Sequence, residues 1–240
     1  MAIDKLPRLD HRQGAVPCGL RCTGQAMNLA TERYVTQNAA WPGAGRHILA
    51  HHDAATIVVY QAYRPSIGAY AIRHGTLDGD FSYRRMSWIK PNFLWMMYRS
   101  GWGTKQGQDV VLGFRLQRQF FDGLLSQAVA STFPASGLSS RADWAAAVAR
   151  SNVRLQWDPD HDPHGKVVAR RAIQLGLRSS VLADYGQREL LEVIDLTDFV
   201  AAQRAGLSRS GIAALRTPVE RVYRPREASI ARRLKLDPSD

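Results

Sequence analysis

The 240-residue sequence predicts an α+β fold, a single domain built on a mixed or antiparallel sheet. Apolar runs of strand length recur along the chain, and helix-start and helix-stop signals fall between them. The two do not alternate in the steady rhythm of parallel βαβ units, and no glycine-rich phosphate loop opens a candidate helix.

Taken in order, residues 1–45 carry scattered Gly, Pro, Gln and Asn with no sustained period and read as an irregular N-terminal extension. The core domain is placed at 46–203. Its first strand is the β-branched run Thr56-Ile57-Val58-Val59-Tyr60. A short helix follows, with Pro65 in its first turn, Ile67, Ala71 and Ile72 on one face, and a stop at His74-Gly75. Pro91 opens a second helix running through Arg99, with Gly101 beyond its end, and residues 109–116 form the next strand. Two helices are expected at 119–130 and 140–150, the latter capped by Ser139 or Ser140 with Asp143 in its first turn. Strands are expected at 153–157, 167–177 and 190–195, and Thr197 caps a helix to about Arg204. Residues 204–240 hold nine Lys or Arg against four Asp or Glu. That composition reads as a basic C-terminal arm, with Ile212 to Leu215 its one apolar docking stretch.

The whole chain has 32 Lys and Arg against 21 Asp and Glu, a formal charge of +11, which favours polyanionic partners such as nucleic acid or nucleotides. No apolar run approaches the ~20 residues of a membrane span, and the start MAIDKLPRLDHRQG lacks the apolar centre of a secretory signal. A soluble, cytoplasmic protein with no membrane partner is therefore expected. Cys18 and Cys22, four apart like His47 and His51, superficially suggest a zinc site. The 24 residues between Cys22 and His47 far exceed the ~12 of a compact finger, so no metal is expected there.

The densest chemistry lies between Arg85 and Lys105. This stretch holds Trp88, Trp95, Trp102, Phe93 and Tyr98 together with Arg85, Lys90, Arg99 and Lys105. Rings supply stacking faces and Arg and Lys supply positive charge, a combination suited to a flat anionic ligand. A buried aromatic helix with basic ends that snorkel to water would carry the same residues. A second cluster, Asp158-Pro159-Asp160-His161-Asp162-Pro163-His164, begins like a calcium loop, but Pro163 stands where that loop needs glycine and Ala169 where it needs an acid. It reads either as a weak divalent-metal loop or as a turn with Asp side chains capping the backbone. No Gly-x-Ser-x-Gly supports serine hydrolysis.

The segments TIVVYQAYRPSIGAYAIRHG, RMSWIKPNFLWMMYRSGWGTKQGQDVVLGFRL, VRLQWDPDHD and RRAIQLGL closely resemble the hallmark segments of the family called domain of unknown function 4291, over about residues 46–200. A second resemblance rests on Val59-Tyr60-Gln61-Ala62-Tyr63, a short helix, and His74-Gly75. That layout is similar to the opening of the ADP-ribosyltransferase and RNA 2′-phosphotransferase superfamily. It implies a fold of that kind, NAD as substrate, Gln61 in contact with NAD and Ser87 near the nicotinamide ribose. Gln174 falls on the strand where the superfamily places its catalytic Glu. A glutamine orients a ribose hydroxyl but supplies no negative charge for a cationic sugar.

On this reading Gln61, Ser87 and Gln174 form the catalytic set. Arg64, Arg85, Lys90, Arg99 and Lys105, with Arg84 as a further cation, clamp the phosphates. Trp88, Tyr98 and Trp102 offer stacking faces, and Tyr60 and Tyr63 flank the Gln61 strand. The expected function is an ADP-ribosyltransferase-like protein that binds NAD and acts on nucleic acid. The alternatives are a non-catalytic module gripping single-stranded nucleic acid with the same rings and charges, and a metal-dependent nuclease using the 158–164 cluster.

Overall fold

The computed structural model describes residues 29–238. The chain enters through a strand, β1 (Thr31–Arg33), and a helix, α1 (Tyr34–Ala40), followed by short strands β2 (Gly45–Arg46) and β3 (Ile48–Ala50). The long strand β4 (Thr56–Tyr63) leads into α2 (Pro65–His74), which Gly75 ends in the left-handed conformation at φ 72°. Strand β5 (Ser87–Ile89) precedes α3 (Phe93–Ser100), whose Asn92 side chain accepts from the Trp95 amide at 2.6 Å and whose Gly101 closes it at φ 59°. Strand β6 (Val110–Gln117) is followed by α4 (Arg118–Gln127), β7 (Val129–Ala130), α5 (Phe133–Ser136) and α6 (Arg141–Arg150), the last capped by Ser140. The hairpin of β8 (Val153–His161) and β9 (Val167–Leu177) comes next, then α7 (Ser179–Gln187), β10 (Glu192–Asp195) and α8 (Thr197–Ser210). Strands β11 (Arg216–Pro218) and β12 (Arg221–Tyr223) and helix α9 (Ala228–Arg233) complete the described chain.

Two sheets organise this α+β domain. One is antiparallel, in the order β10-β6-β4. The other is mixed, in the order β2-β9-β8-β7, with β5 also paired to β9. Alternation along β4 sends Ile57 and Val59 into one hydrophobic core and Val58 and Tyr60 into a second core on the opposite face. A strand buried on both faces is continuously apolar, as residues 57–60 are.

The sheets touch where β4 meets the end of β5. The Tyr60 amide donates to the Lys90 carbonyl at 2.6 Å, and the Lys90 amide donates back to the Tyr60 carbonyl at 3.3 Å. On the Gln61 side of this bridge the walls are β4 and the β5-β9-β8 face, with a cleft between them.

Both ends of the domain are larger than the sequence reading placed them. From residue 29 onward the extension is folded and packed: β1 pairs with β11, Tyr34 and Trp41 are buried, and the buried Gln37 donates to the Thr217 hydroxyl at 2.9 Å. Beyond residue 204, β12 pairs with β3 and Tyr223, Ile230 and Leu234 are buried. Arginines of this region also serve the fold. Arg216 donates to the Thr31 carbonyl at 2.7 Å and Arg233 to the Ala128 carbonyl at 2.7 Å. Two- and three-residue strands leave no periodicity to read, because their pairing partners lie some 180 residues away. Cys18 and Cys22 lie outside the described residues. No helix among the described residues is long and apolar enough to cross a membrane.

Candidate functional site

The cleft has a volume of about 540 Å³ and draws its walls from β4, the segment 85–90, α3, β8 and β9. On the β4 wall the side chain of Gln61 is only 4% exposed and fully committed. Its amide donates to the Ser87 hydroxyl at 2.8 Å and to the Trp88 carbonyl at 3.1 Å, and its Oε1 accepts from the Tyr185 hydroxyl at 2.8 Å. These bonds fix the amide's orientation and tie β4, β5 and α7 together. Tyr63 lies beside Ser87 on the same wall, and burial pushes its hydroxyl well up, so the phenol stays neutral.

The opposite wall is one face of the β8-β9 hairpin. Gln156 stands directly across from Gln174 in the register, and Asp158 follows on the same face. Gln156 donates to Asp158 Oδ1 at 2.7 Å and Gln174 to Oδ2 at 2.7 Å, so both glutamines are anchored on one carboxylate. Trp88 packs over Gly176, where a Cβ would sit 2.6 Å from Met86 Sδ and 3.0 Å from the Trp88 ring. A side chain at 176 would therefore displace Met86 and the Trp88 ring, which form this end of the cleft.

Lys90 forms the floor. It is 4% exposed yet faces the cleft, and its ammonium finds one acceptor, the Trp88 carbonyl, at 3.5 Å. Burial is the main cause that lowers its pKa to about 8; Arg99 adds to the shift and Asp158 opposes it. Arg85 and Arg99 stand exposed at the mouth.

The structure thus brings Gln61, Tyr63, Arg85, Ser87, Trp88, Lys90, Arg99 and Gln174 into one cleft. The other sequence candidates lie elsewhere. Tyr60 points to the opposite face of β4, fully buried, edge-on to Phe93 at 5.5 Å and beside Glu220. Arg64 pairs with Asp80 at 3.3 Å and lines a neighbouring cavity of about 360 Å³. Tyr98 stacks on His161 at 3.5 Å between ring centres. Trp102 packs against Phe93 at 6.1 Å, with its indole N–H donating to the Pro163 carbonyl at 3.2 Å. Lys105 donates to the Arg99 carbonyl at 2.8 Å, capping the end of α3. The reason is helical geometry. Met96 and Arg99 are the α3 residues that line the cleft, whereas Tyr98 and, beyond Gly101, Trp102 and Lys105 lie on other sides of the chain, because a helix places only one face on any wall.

The 158–164 cluster is likewise divided. Asp158 serves the glutamines, Asp160 forms a buried ion pair with Arg170 at 2.8 Å, and Asp162 accepts from the His164 and Lys166 amides at 2.9 Å, closing the hairpin turn. Among the described residues, no group of three or more His, Cys, Asp or Glu is placed to hold a metal ion. Sequence reasoning missed Tyr185, Gln156 and Met86. Gln156 left a signal, a polar residue between the apolar Leu155 and Trp157, but only the register shows that it faces Gln174.

No curated protein matches this chain. Residues 47–223 match the family described as Domain of unknown function (DUF4291), a span that contains β3 through β12 and every residue of the cleft named above. With most of its length covered by that match, the chain belongs to the DUF4291 family.

Proposed function

We propose that the cleft binds NAD and that the protein is an ADP-ribosyltransferase-like enzyme acting on nucleic acid. The observation that carries this reading is the convergence of Gln61, Ser87 and Gln174 with Arg85, Lys90 and Arg99 on one cleft, from stretches more than 110 residues apart in the chain. Cations at the mouth suit a pyrophosphate, and fixed amides and a hydroxyl suit ribose hydroxyls. Transfer breaks the bond between ribose C1′ and the nicotinamide nitrogen, which keeps the electron pair and leaves neutral. C1′ then bonds to an oxygen or nitrogen of the acceptor, which releases a proton. Positive charge on the sugar needs a nearby anion, and Gln174 is neutral. Asp158, bonded to Gln174 and Gln156, supplies that charge in this reading.

Calorimetry and thermal unfolding with millimolar NAD test the binding. Heat of binding and a raised melting temperature are expected, and a folded sample giving neither rejects the reading. With labelled NAD and separate pools of RNA and DNA, transfer is expected with the wild type and lost in Asp158→Asn, while NAD binding persists.

A second reading, a non-catalytic single-strand binder, draws support from the +11 charge, since only four ion pairs form among the described residues. Its signature is binding that falls steeply from ~50 to ~200 mM salt with no response to NAD.

A further inference from the structure

The ammonium of a lysine has three protons to donate, and Lys90 places only one of them, at the limit of hydrogen-bond length. It takes part in none of the ion pairs found among the described residues. Its backbone is locked by the bridge to Tyr60 and by Pro91 and the capped start of α3, so the amine is presented from a rigid base. We infer that Lys90 is a reactive amine and that the cleft takes an aldehyde borne on an anionic, hydroxylated molecule, a sugar phosphate in class, which Lys90 captures as an imine.

Composition makes the choice of residue informative. The chain has five lysines among its 32 cationic residues, the rest being arginine. Lys105, Lys166 and Lys235 are exposed, and Lys90 alone of the described lysines is buried. Most of the fixed charge is arginine, which does not lose its proton; the cleft floor has a buried cation that does. Burial and Arg99 bring that loss close to neutral pH, with Asp158 acting against them. Arg85 is the remaining cation of the cleft, and from β4 the groups facing it are the amide of Gln61 and the neutral phenol of Tyr63.

The rest of the cleft fits the same ligand. Arg85 and Arg99 suit a phosphate, and Ser87, held in place by Gln61, and Gln174 suit sugar hydroxyls. The nitrogen lone pair adds to the carbonyl carbon, the carbonyl oxygen takes up the proton released by the nitrogen, and loss of water leaves the imine. Hydrolysis reverses it, with no oxidant or reductant consumed. The proposal shares with the NAD reading an anionic, hydroxylated ligand in this cleft, but does not require that ligand to be NAD.

Ribose 5-phosphate with cyanoborohydride, followed by peptide mapping, tests it on the full chain. A saturable adduct on Lys90 is expected, at least tenfold faster than on Lys105, with a rate rising to half its maximum near pH 8. Ribose lacking the phosphate is expected to label far more slowly. Lys90→Arg removes the adduct, and Lys105→Arg leaves it. Arg99→Gln moves the half-point to higher pH and Asp158→Asn to lower pH, shifts that a merely structural lysine would not show. Labelling confined to the N-terminal amine, or spread evenly over the exposed lysines, overturns the proposal. NAD binding without Lys90 labelling rejects this inference alone, and labelling without NAD binding rejects the transferase reading alone.

Discussion

Residues 85–90 and 92–102 are neighbours in sequence with the same mixture of rings and cations, yet the first stretch lines the cleft and the second mainly packs a core, reaching the cleft through Met96 and Arg99. In the first, Arg85, Ser87, Trp88 and Lys90 all reach the cleft. In the second, Phe93 is fully buried among Tyr60, Trp102 and Phe199, and Leu94, Met96 and Met97 join it. The turn between them, at Pro91 and the Asn92 cap, is where strand gives way to helix. A strand at the edge of a cleft offers alternate side chains to it, whereas a helix behind it must bury a whole stripe. Aromatic content alone therefore does not mark a stacking platform; the backbone conformation beneath the rings does.

The largest expected effect comes from the packed half. Phe93→Ala should cost about 3–5 kcal/mol, seen as a lower melting temperature, and Trp88→Ala clearly less, because Trp88 is only partly buried. Equal losses for the two would erase the contrast between cleft and core.

Lys90 sharpens it through pH. Its folded pKa of about 8 lies below the ordinary 10.5, so between these values the unfolded chain holds a proton that the folded chain has lost. Stability of the wild type should accordingly rise across that window relative to Lys90→Met, by on the order of 3 kcal/mol in denaturant titrations. A difference constant from pH 7 to 10 would show that the cleft floor is not desolvated.

Gln61→Ala should cost about 1–3 kcal/mol, because it strands the Tyr185 hydroxyl in a buried site. The loss should appear with and without ligand, since the buried amide ties β4, β5 and α7 together whether or not the cleft is filled. No change in stability would mean that water replaces it freely.

The smallest effect is expected at Tyr98, which is 44% exposed although stacked on His161. Tyr98→Ala should cost about 1 kcal/mol and leave ligand binding in the cleft unchanged. A large loss of nucleic-acid binding in this variant would instead place a binding surface on the exposed end of α3.

Much of the middle of the chain was legible. Strand 167–177, the Pro65 helix with its Gly75 stop, and the Ser140-capped helix follow from local signals, and the structure places each within a residue or two. The family-like segments also pointed at Gln61, Ser87, Lys90 and Gln174. Helix α7, which supplies Tyr185, was not legible. Arg178 stands at its cap position with its side chain bonded to carbonyls within 148–151 and not to the helix start, and Ser179 opens it at φ 53°, so the usual start signal is missing.

By itself the sequence determined most strands and helices of the middle of the chain, the α+β class, the excess of positive charge, and the concentration of rings and cations around residue 90. Those properties rest on side-chain periodicity and capping, which act within a few residues. Tertiary structure decided that Gln156 faces Gln174 across the hairpin, that Asp158 lies between them, that Tyr98 and Trp102 leave the cleft, and that β1 pairs with β11. Register and long-range pairing are set by the fit of whole faces, and no short stretch of sequence holds that information.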